Sequence, residues 1–411
     1  MNQQGEQLSG NRPAMPAAQP PQPAQPSGVP IPPAELTGLR QDIECVDREI
    51  MALFNRRMAL ARRVAAYKAR NGSAVFDPRR EDEVVKLATS LTAPQDAIRA
   101  EILLRSLMRL SRGTQYDCLL DADSGFELSR QVTAAPRGLP DLRRIVYQGA
   151  AGSYADQACR RLFPGVPTQT AQTWADACRM VQDGLVDLAV LPLENSTAGT
   201  VDDVYDLLQQ DDLFIWRSLA LPIQHRLLGL PGSSIEQIKT VVSHPQALSQ
   251  CSDLIRRRGW QMQESLNTAF AADTVARSGD PGLAAIASEA AAAASGLAIL
   301  QESICNSHVN QTRFIAVGRE LRVTPDADRV SLVLRLPHRS GSLAATLAVF
   351  GDRGLNLKKI QTRPDMDNPW SYLFYLDFES TERQIVPMLA TLYQLCREMP
   401  MLRLLGWYHE V

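Results

Sequence analysis

From Leu36 onward the chain shows a helical pattern of apolar positions. Apolar residues recur at alternating steps of four and three, which is the spacing of a coiled-coil seam. The members of this seam are Leu39, Ile43, Val46, Ile50, Leu53, Leu60, Val64 and Tyr67. The pattern predicts one helix of about 33 residues, roughly 50 Å long at about 1.5 Å per residue.

The stretch "RNGSAVFDP" interrupts this pattern, and two shorter helices are predicted after it, near 78–91 and 95–115. A three-helix unit in which one helix is so long cannot cover its own apolar face. We therefore expect an intertwined dimer, in which a second copy supplies the missing cover. Residues 36–116 are predicted to form an all-α domain.

Beyond a predicted linker at 117–142, segments typical of strands and of helices alternate, as in "VDLAVLPL" and "VDDVYDLLQQ". This alternation predicts an α/β domain over 143–319 with a mostly parallel sheet. The stretch "LALPIQHRLLGL" in its middle indicates a crossing between two lobes. From 328 to 411 the order strand, helix, strand, strand, helix, strand predicts an α+β domain of the ferredoxin-like kind.

Composition changes this picture mainly at the start of the chain. Residues 1–35 hold nine prolines and are predicted to form a disordered tail. The whole chain of 411 residues is 45% hydrophobic and 21% charged, with a formal net charge of −2. This balance is typical of globular proteins and gives no reason to expect binding to nucleic acid or to a membrane.

The cysteines and histidines indicate the cellular compartment of the protein and whether it binds a metal. The seven cysteines are scattered and form no CxxC motif, which is typical of free thiols in a reducing cytoplasm. The five histidines show no metal-ligand spacing with cysteines or carboxylates. No apolar run at the N-terminus resembles a secretory signal. We therefore expect a cytoplasmic protein that uses no metal and no other cofactor.

One position of the helical seam carries a charge. Arg57 stands between Leu53 and Leu60, where an apolar residue is due, and an unpaired guanidinium is costly to bury. Lys68 lies three turns later and shares the face of Arg57. Arg40 lies about 100° around the helix from Arg57, so we expect it to serve the pocket of a partner subunit. The pattern predicts a pocket for an anion.

The all-α segment is similar to the helical chorismate mutase family. The resemblance rests on "LRQDIECVDREIMALFNRRMALARRVAAYK" followed by "DPRRE" and covers essentially all of 36–116. The motif residues of that family fall on Arg40 (from the partner subunit), Arg57, Lys68, Asp77, Arg80, Glu81, Ser111 and Gln115.

The resemblance implies the rearrangement of chorismate to prephenate, which is pericyclic and needs no nucleophile. The arginines would clamp the two carboxylates of the substrate. Lys68 and Gln115 would donate hydrogen bonds to the ether oxygen that gains negative charge, and Glu81 would accept one from the ring hydroxyl. Ser111 would add a neutral hydrogen bond.

Four polar loops follow strands of the α/β segment, where open sheets bind ligands. They contain "GAAGSY", "ENSTAG", "SHPQ" and "TRF". Each loop alone also fits a helix cap, for which Ser243 and Thr200 are candidates.

Together the four loops resemble prephenate dehydratases, which implies a two-lobed fold like that of periplasmic binding proteins. The positions of the family's functional residues become Asn195, Gln250 and Thr312, with supporting roles for Ser153, Glu194, Ser196, Ser243, His244 and Arg313. Prephenate loses its ring carboxylate as CO2 and its hydroxyl as water to give phenylpyruvate. Thr312 would hydrogen-bond the leaving hydroxyl, Arg313 would lie near a carboxylate, and Asn195 and Gln250 would position the substrate.

The last segment resembles the ACT regulatory domain, over 328–411. In that family phenylalanine binds at the interface of two such domains, here on Gly341, Ser342, Leu343, Gln361, Thr362, Arg363 and Pro364. The usual Glu-Ser-Arg-Pro reads Gln-Thr-Arg-Pro, which removes one negative charge. A purely structural dimerisation domain is the alternative.

The sequence as a whole resembles bifunctional chorismate mutase/prephenate dehydratases with a C-terminal ACT domain. This implies a homodimer, or a tetramer, that binds chorismate, prephenate and the inhibitor L-phenylalanine. The alternative is a transcription regulator with a DNA-binding helical region ahead of an effector domain. The long first helix argues against that alternative, because helix-turn-helix units use short helices.

Overall fold

The computed structural model describes residues 33–307 and 309–411. Most of the predicted tail, up to residue 32, lies outside the described residues. Two compact units divide between Gln115 and Tyr116.

The N-terminal unit is helical, as predicted. Its helices are α1 (Pro33–Asn71), α2 (Pro78–Ser90) and α3 (Ala97–Ala122), of which α3 continues past the boundary between the units. The side chain of Asp77 accepts a hydrogen bond from the backbone of Arg80, and Pro78 occupies the first turn, so "DPRRE" starts α2. Helix α1 has 39 residues, more than predicted, because it begins earlier.

The apolar seam of α1 remains exposed in the single chain. Its exposed members are Leu39, Ile43, Val46, Ile50, Leu53, Leu60, Val64 and Tyr67. The side that packs inside the unit is instead carried by Met58, Ala61 and Ala65, which are buried. Leu53 alone is 64% exposed. A stripe of this length is costly to leave in water.

The segment predicted as a linker contains more helix than its sequence suggested. The end of α3 and the helix α4 (Glu127–Ala134) both fall within it. Phe126 packs edge-on against Tyr393 at 4.8 Å between ring centroids, and the hydroxyl of Tyr393 donates to Asp123 at 3.1 Å. The polar run "DADSG" breaks the helical periodicity between α3 and α4 and hides these contacts from sequence analysis.

The next part of the chain alternates strands and helices. Its elements are β1 (Ile145–Gln148), α5 (Tyr154–Leu162), β2 (Thr168–Ala171), α6 (Trp174–Gln182), β3 (Leu188–Asn195), β4 (Gly199–Thr200), α7 (Asp202–Gln210), β5 (Phe214–Pro222), β6 (Arg226–Gly229), β7 (Thr240–Ser243), α8 (Pro245–Gln250), α9 (Ser252–Arg258), β8 (Gln261–Glu264), α10 (Thr268–Ser278), β9 (Leu283–Ala287), α11 (Glu289–Ser295), β10 (Ala298–Gln301) and β11 (Gln311–Gly318).

These strands form two sheets, one for each lobe. In the first lobe β1 pairs in parallel with β2 and β3, and β11 lies antiparallel between β3 and β5. In the second the order is β10-β6-β9-β7-β8. The chain crosses between the lobes from β5 to β6, where "LALPIQHRLLGL" predicted it, and returns from β10 to β11. The prediction of two lobes is confirmed.

The remaining elements follow the predicted order. They are β12 (Arg329–Arg335), α12 (Ser342–Asp352), β13 (Leu357–Pro364), β14 (Tyr372–Glu379), α13 (Ile385–Glu398) and β15 (Met401–Glu410). The strands pair antiparallel in the order β13-β14-β12-β15. The end of β15 also pairs with β5 of the first lobe, so ten strands make one continuous sheet.

Within the described residues, no helix combines the length and the apolar character needed to cross a membrane. The same part of the chain holds no group of three His, Cys, Asp or Glu side chains arranged for a metal ion. All seven cysteines are free thiols.

Two candidate active sites

The seam arginine of α1 points toward α3. One guanidinium nitrogen of Arg57 donates to the carbonyl of Leu107 at 2.6 Å and to the hydroxyl of Ser111. Both acceptors are neutral, so neither cancels the positive charge. Burial lowers the pKa of Arg57, against which the nearby carboxylate of Glu81 acts. A half-buried cation with only neutral hydrogen-bond acceptors favours an anionic ligand.

Lys68 lies beside two acids at the start of α2. Its ammonium donates to the carbonyl of Val75 at 2.8 Å. Burial lowers the pKa of Lys68, whereas the charges of Asp77 and Glu81 oppose that shift. The structure therefore brings together Arg57, Lys68, Asp77, Glu81 and Ser111, as the resemblance implied.

Arg112 belongs to this cluster and was missed in the sequence. Its side chain is buried, forms an ion pair with Glu81 and lies over the ring of Phe76, 4.8 Å from the centroid. Arg112 holds the carboxylate of Glu81 in one orientation. Helix α3 carries several arginines, and no sequence pattern distinguished Arg112 from the others.

Gln115 closes the same end of the unit. Its amide nitrogen donates to the carbonyl of Ser111 at 3.3 Å. Its amide oxygen is buried and has no hydrogen-bond partner in the described part of the chain. A buried oxygen in this state favours a donor supplied from outside the protein.

Two predicted residues do not reach this cluster. Arg40 is exposed, 17 positions before Arg57 and thus about 25 Å away along α1. Arg80 is exposed and forms an ion pair with Glu83 at 2.8 Å. Neither guanidinium contacts the cluster within one chain, so a role for Arg80 as a clamp on a carboxylate stays a prediction.

The second candidate site is a cleft of about 500 Å³ between the two lobes. Five predicted residues line it: Ser153, Asn195, His244, Gln250 and Thr312. Other lining side chains were not predicted, among them Gln148, Tyr154, Trp174, Asp202, His225 and Asn267. No lysine or arginine is among the described residues that line this cleft.

Gly152 lets the two lobes approach each other beside the cleft. Its φ of +79° favours glycine, and a Cβ there would lie 2.7 Å from the carbonyl oxygen of Ala290 in the second lobe. The hydroxyl of Ser288 also donates to the carbonyl of Gly152 at 2.8 Å. The "GAAGSY" loop is therefore a close contact between the lobes.

Both the nitrogen and the oxygen of the Asn195 side-chain amide hydrogen-bond to other groups of the protein. It stands opposite Thr312 in the β3–β11 pairing. Its nitrogen donates to the side chain of Asn310 at 2.8 Å and to the hydroxyl of Thr312 at 2.9 Å. Its oxygen accepts from Thr197 and from the backbone of Ala198. This corrects the expectation that Asn195 hydrogen-bonds the substrate directly, because no donor or acceptor is left over.

The hydroxyl of Thr312 gains a defined orientation from this contact. Because its oxygen accepts from Asn195 at 2.9 Å, its own hydrogen must point to a different acceptor. Thr312 lines the cleft, so that acceptor can be a group of the substrate.

His225 is neutral and buried at the crossing between the lobes. It is 3% exposed, and burial lowers its pKa to about 4. The side-chain oxygen of Gln250 lies 3.0 Å from Nε2, so Nε2 must carry the hydrogen. The hydroxyl of Tyr154, which donates to the carbonyl of Gln224 at 2.8 Å, lies 3.2 Å from the other nitrogen. A lone histidine in the segment between β5 and β6 gave no sequence signal for this role.

Gln250 joins His225 to the loop after β3. Its amide nitrogen donates to the hydroxyl of Thr197 at 3.0 Å, and that hydroxyl donates to Asn195 at 2.7 Å. Every hydrogen bond from His225 to Thr312 thus runs in one direction. We call these five side chains the donor chain: His225, Gln250, Thr197, Asn195 and Thr312.

Helices begin around the same cleft. Ser153 caps α5 and Asn267 caps α10, each by accepting a backbone hydrogen bond. Residues of both first turns, including Ala155 and Thr268, line the cleft. The first amides of a helix have no partner inside it and carry partial positive charge.

The cap alternatives from the sequence are wrong for two residues. His244, not Ser243, is the cap of α8, and its ring accepts from the backbone of Gln246 at 3.3 Å. Burial lowers the pKa of His244. Val201 rather than Thr200 precedes α7, and the hydroxyl of Thr200 instead donates to Asp202 at 2.8 Å.

Four predicted supporting residues do not line the cleft. Ser243 donates to the carbonyl of Ile286 at 2.5 Å, and Ser196 donates to that of Val309 at 2.9 Å, so both hydroxyls fix backbone. Glu194 and Arg313 point to the opposite side of the sheet. Arg313 is 6% exposed, and its guanidinium donates to Asp377 at 2.6 Å. This corrects the expectation that Arg313 lies near a substrate carboxylate.

The predicted regulatory residues fall in two separate places. Gly341, Ser342 and Leu343 line a second cleft of about 470 Å³, together with Trp370 and Tyr372. The hydroxyl of Ser342 donates to the carbonyl of Pro337 at 2.7 Å.

The other four regulatory residues lie on β13 and do not line that cleft. They are Gln361, Thr362, Arg363 and Pro364. The guanidinium of Arg363 forms ion pairs with Asp206 at 2.8 Å and with Asp202 at 2.6 Å, both on α7. One chain does not bring the two halves of the predicted regulatory site together.

Two family models match this chain. The model described as chorismate mutase type II matches residues 39–116, and the model described as prephenate dehydratase matches residues 145–322.

Among relatives, the bifunctional chorismate mutase/prephenate dehydratase of Enterobacter agglomerans is 30% identical over 384 residues, 92% of this chain and 96% of that enzyme. The arogenate dehydratase/prephenate dehydratase 1, chloroplastic, of Arabidopsis thaliana is 41% identical over 255 residues. That match covers 58% of this chain and 65% of the plant enzyme. Among solved structures, the prephenate dehydratase of Arthrobacter aurescens in complex with L-Phe superposes with a TM-score of 0.58 at 29% identity, covering 65% of this chain and 89% of that one.

Proposed function

The chain belongs to the family of bifunctional chorismate mutase/prephenate dehydratases, and we propose that its two sites work as follows. The cluster around Arg57 rearranges chorismate to prephenate. The cleft around Thr312 then converts prephenate to phenylpyruvate, with loss of CO2 and water. The observation that carries the second assignment is the hydroxyl of Thr312, which accepts from Asn195 and keeps its hydrogen for the cleft.

In the first site, fixed cations act on a dianionic substrate. Arg57 binds a carboxylate and holds the substrate in its compact reactive form. Lys68 donates to the ether oxygen as negative charge gathers there, and its hydrogen bonds need no reorganisation during the reaction. Glu81, oriented by Arg112, accepts from the ring hydroxyl. One amide hydrogen of Gln115 goes to the carbonyl of Ser111, and the other would donate to the ether oxygen from α3.

We propose that a second copy completes this site. The exposed seam of α1 gives an apolar surface that two copies would bury against each other. Arg40 of the partner subunit would then reach the pocket and bind the second carboxylate. An intertwined helical dimer explains both the exposed seam and the distance between Arg40 and Arg57.

In the second site, neutral groups and helix ends bind the dianion. Because the described lining residues include no lysine or arginine, the carboxylates of prephenate lie against the first turns of α5 and α10, whose free amides bind anions. Thr312 donates to the ring hydroxyl and assists its departure. Gly149 and Ser153 border the same end of the cleft.

The donor chain makes Thr312 a better donor than an isolated hydroxyl. Each of its members donates to the next, and hydrogen bonds in such a series polarise one another. Neutral His225 begins the series and Thr312 ends it. Asn195 and Gln250 act within it as positioning residues.

The last domain is proposed to be an ACT regulatory domain that binds L-phenylalanine. Supporting this are its strand and helix order, the cleft at Gly341, and the L-Phe in the related Arthrobacter structure. The amides at the start of α12 would bind the amino-acid carboxylate. A second copy would bring the Gln361–Pro364 stretch of one chain to the cleft of the other.

We retain the domain limits of 36–116 for the mutase, 143–319 for the dehydratase and 328–411 for the ACT domain, with a connecting segment at 117–142. A location in the cytoplasm stays a prediction from the cysteine pattern.

The test follows chorismate through both reactions by separating the reactants and products over time. The wild type should convert chorismate to phenylpyruvate. The Arg57→Ala variant should leave chorismate unchanged but still turn over added prephenate, whereas Thr312→Ala should accumulate prephenate. Prephenate consumption by Thr312→Ala at the wild-type rate would contradict the second site. Arogenate, named for the Arabidopsis relative, is the parallel substrate for the dehydratase step.

A further inference from the structure

The two strands that carry Asn195 and Thr312 have a second, buried face. Side chains alternate along a strand, so Glu194 and Arg313 point away from the cleft. The two stand opposite each other in the β3–β11 pairing. Their side chains form an ion pair at 3.4 Å. Whatever holds this pair also fixes the backbone one residue away from Asn195 and Thr312.

The partners of this pair come from the last domain. Asp377 on β14 accepts from Arg313 at 2.6 Å, and the hydroxyl of Tyr408 on β15 accepts from it at 2.8 Å. Lys359 on β13 donates to Glu194 and to the hydroxyl of Tyr205. The last domain therefore contacts the strands of the cleft from behind.

The charges of this cluster balance at its centre. The cluster holds three carboxylates and three cations, which are Glu194, Asp377, Glu410, Arg313, Lys359 and Arg329. Burial lowers the pKa of Lys359, while Glu194 opposes that shift. Removing one member of such a cluster leaves an uncompensated buried charge, which is costly and shifts its neighbours.

We propose that Lys359 is a positioning residue of the dehydratase reaction: its ion pair with Glu194 sets the position of Asn195 and thereby the orientation of the Thr312 hydroxyl. This inference rests on the proposed role of Thr312. Lys359 does not line the cleft, so it touches no substrate. Without it, Glu194 is left to Arg313 alone, whose guanidinium is shared with Asp377 and Glu410.

The expected effect appears in turnover more than in binding. Lys359→Met keeps the length of the side chain and removes its charge. Its kcat for prephenate should fall about tenfold with KM nearly unchanged, because a displaced catalytic group slows the chemical step. Lys359→Arg keeps the cation and should retain most of the wild-type kcat. Mutase activity of the same proteins should be unchanged.

The neighbouring lysine supplies a matched control. Lys358 forms an ion pair with Glu379 at 2.8 Å on the exposed face of the same strand. Lys358→Met removes the same charge one residue away and should leave the kcat at the wild-type value. Thermal unfolding of all variants separates a loss of turnover from a loss of folded protein.

A double-mutant cycle tests the path of the effect. If Lys359 acts through Glu194, then Glu194→Gln and Lys359→Met together should cost less in kcat than the product of the two single losses. Equal kcat in folded Lys359→Met and Lys358→Met would overturn the proposal. The Asn195→Ala variant distinguishes failure of this proposal from failure of the proposed dehydratase site. If Asn195→Ala also retains the full kcat for prephenate, the proposed site itself is wrong.

Discussion

The two sites handle dianionic substrates by opposite means. The mutase cluster presents Arg57 and Lys68, whereas the described lining of the dehydratase cleft has no lysine or arginine. That lining offers helix ends, neutral side chains and the carboxylates of Asp202 and Asp203. The reactions explain the difference. In the mutase reaction negative charge gathers on one oxygen, which cations stabilise. In the dehydratase reaction a carboxylate must lose its charge as CO2 departs, so a strong ion pair with it would stabilise the ground state and slow the reaction.

The largest loss of activity is expected when the cation of the mutase site is removed. Arg57→Ala should lower kcat/KM for chorismate about a thousandfold, since a fixed charge on a substrate carboxylate is lost. Turnover of prephenate should not change. The control is Arg56→Ala, which removes an exposed arginine from the same turn and should retain mutase activity. A loss below tenfold in Arg57→Ala would mean that Arg57 does not bind the substrate.

The dehydratase site should be most sensitive to a neutral hydroxyl. Thr312→Val preserves the shape of the side chain and removes its donor, so kcat for prephenate should fall about a hundredfold. Thr312→Ser restores the hydroxyl and should recover most of that loss. Steady-state kinetics on purified variants measures both. Equal activity of Val and Ser at this position would exclude a hydrogen-bonding role.

A third substitution tests the dehydratase cleft by adding a negative charge to its edge. Asn267→Asp keeps a good cap for α10 but places a carboxylate at the edge of the cleft. KM for prephenate should rise about tenfold by repulsion of the dianion. Asn267→Ser caps without charge and should leave KM near the wild-type value. If both variants behave alike, the substrate carboxylates do not lie at α10.

The smallest expected effect concerns stability rather than rate. The pKa of His225 is lowered from about 6.5 to about 4 by burial, so between these values the unfolded chain binds a proton that the folded chain does not. Folding stability due to this group is therefore complete above the unfolded value and is lost as pH falls, by at most about 1.4 kcal/mol per pH unit.

His225→Gln removes that dependence. Urea unfolding between pH 4 and pH 7 should show a shallower acid loss in this variant than in the wild type. Because His244 titrates in both proteins, the difference between them isolates His225. Identical slopes would mean that the pKa of His225 is the same in the folded and the unfolded chain.

Strong periodicity and local motifs were enough to predict much of this molecule. The 4-3 spacing predicted α1, and "ENSTAG" and "TRF" identified Asn195 and Thr312. Arg313 was predicted to face the cleft, and it faces the opposite side of the sheet. Which side of β11 faces the cleft depends on its register against β3 and on the domain that packs behind both strands, and local sequence shows neither. Arg112, inside α3, and His225, between β5 and β6, were missed because a single residue carries no pattern. Their roles arise only from contacts distant in sequence.

The pairing of β15 with β5 has a consequence for synthesis of the protein. During translation β5 emerges long before residues 401–410, and its outer edge has no strand beside it until β15 arrives. An open strand edge is a template for pairing with other chains. The first lobe thus passes through a vulnerable period on the ribosome. The C-terminal domain ends it by pairing its residues 409 and 410 with residues 217 and 218 of that edge, in addition to any part it plays in regulation.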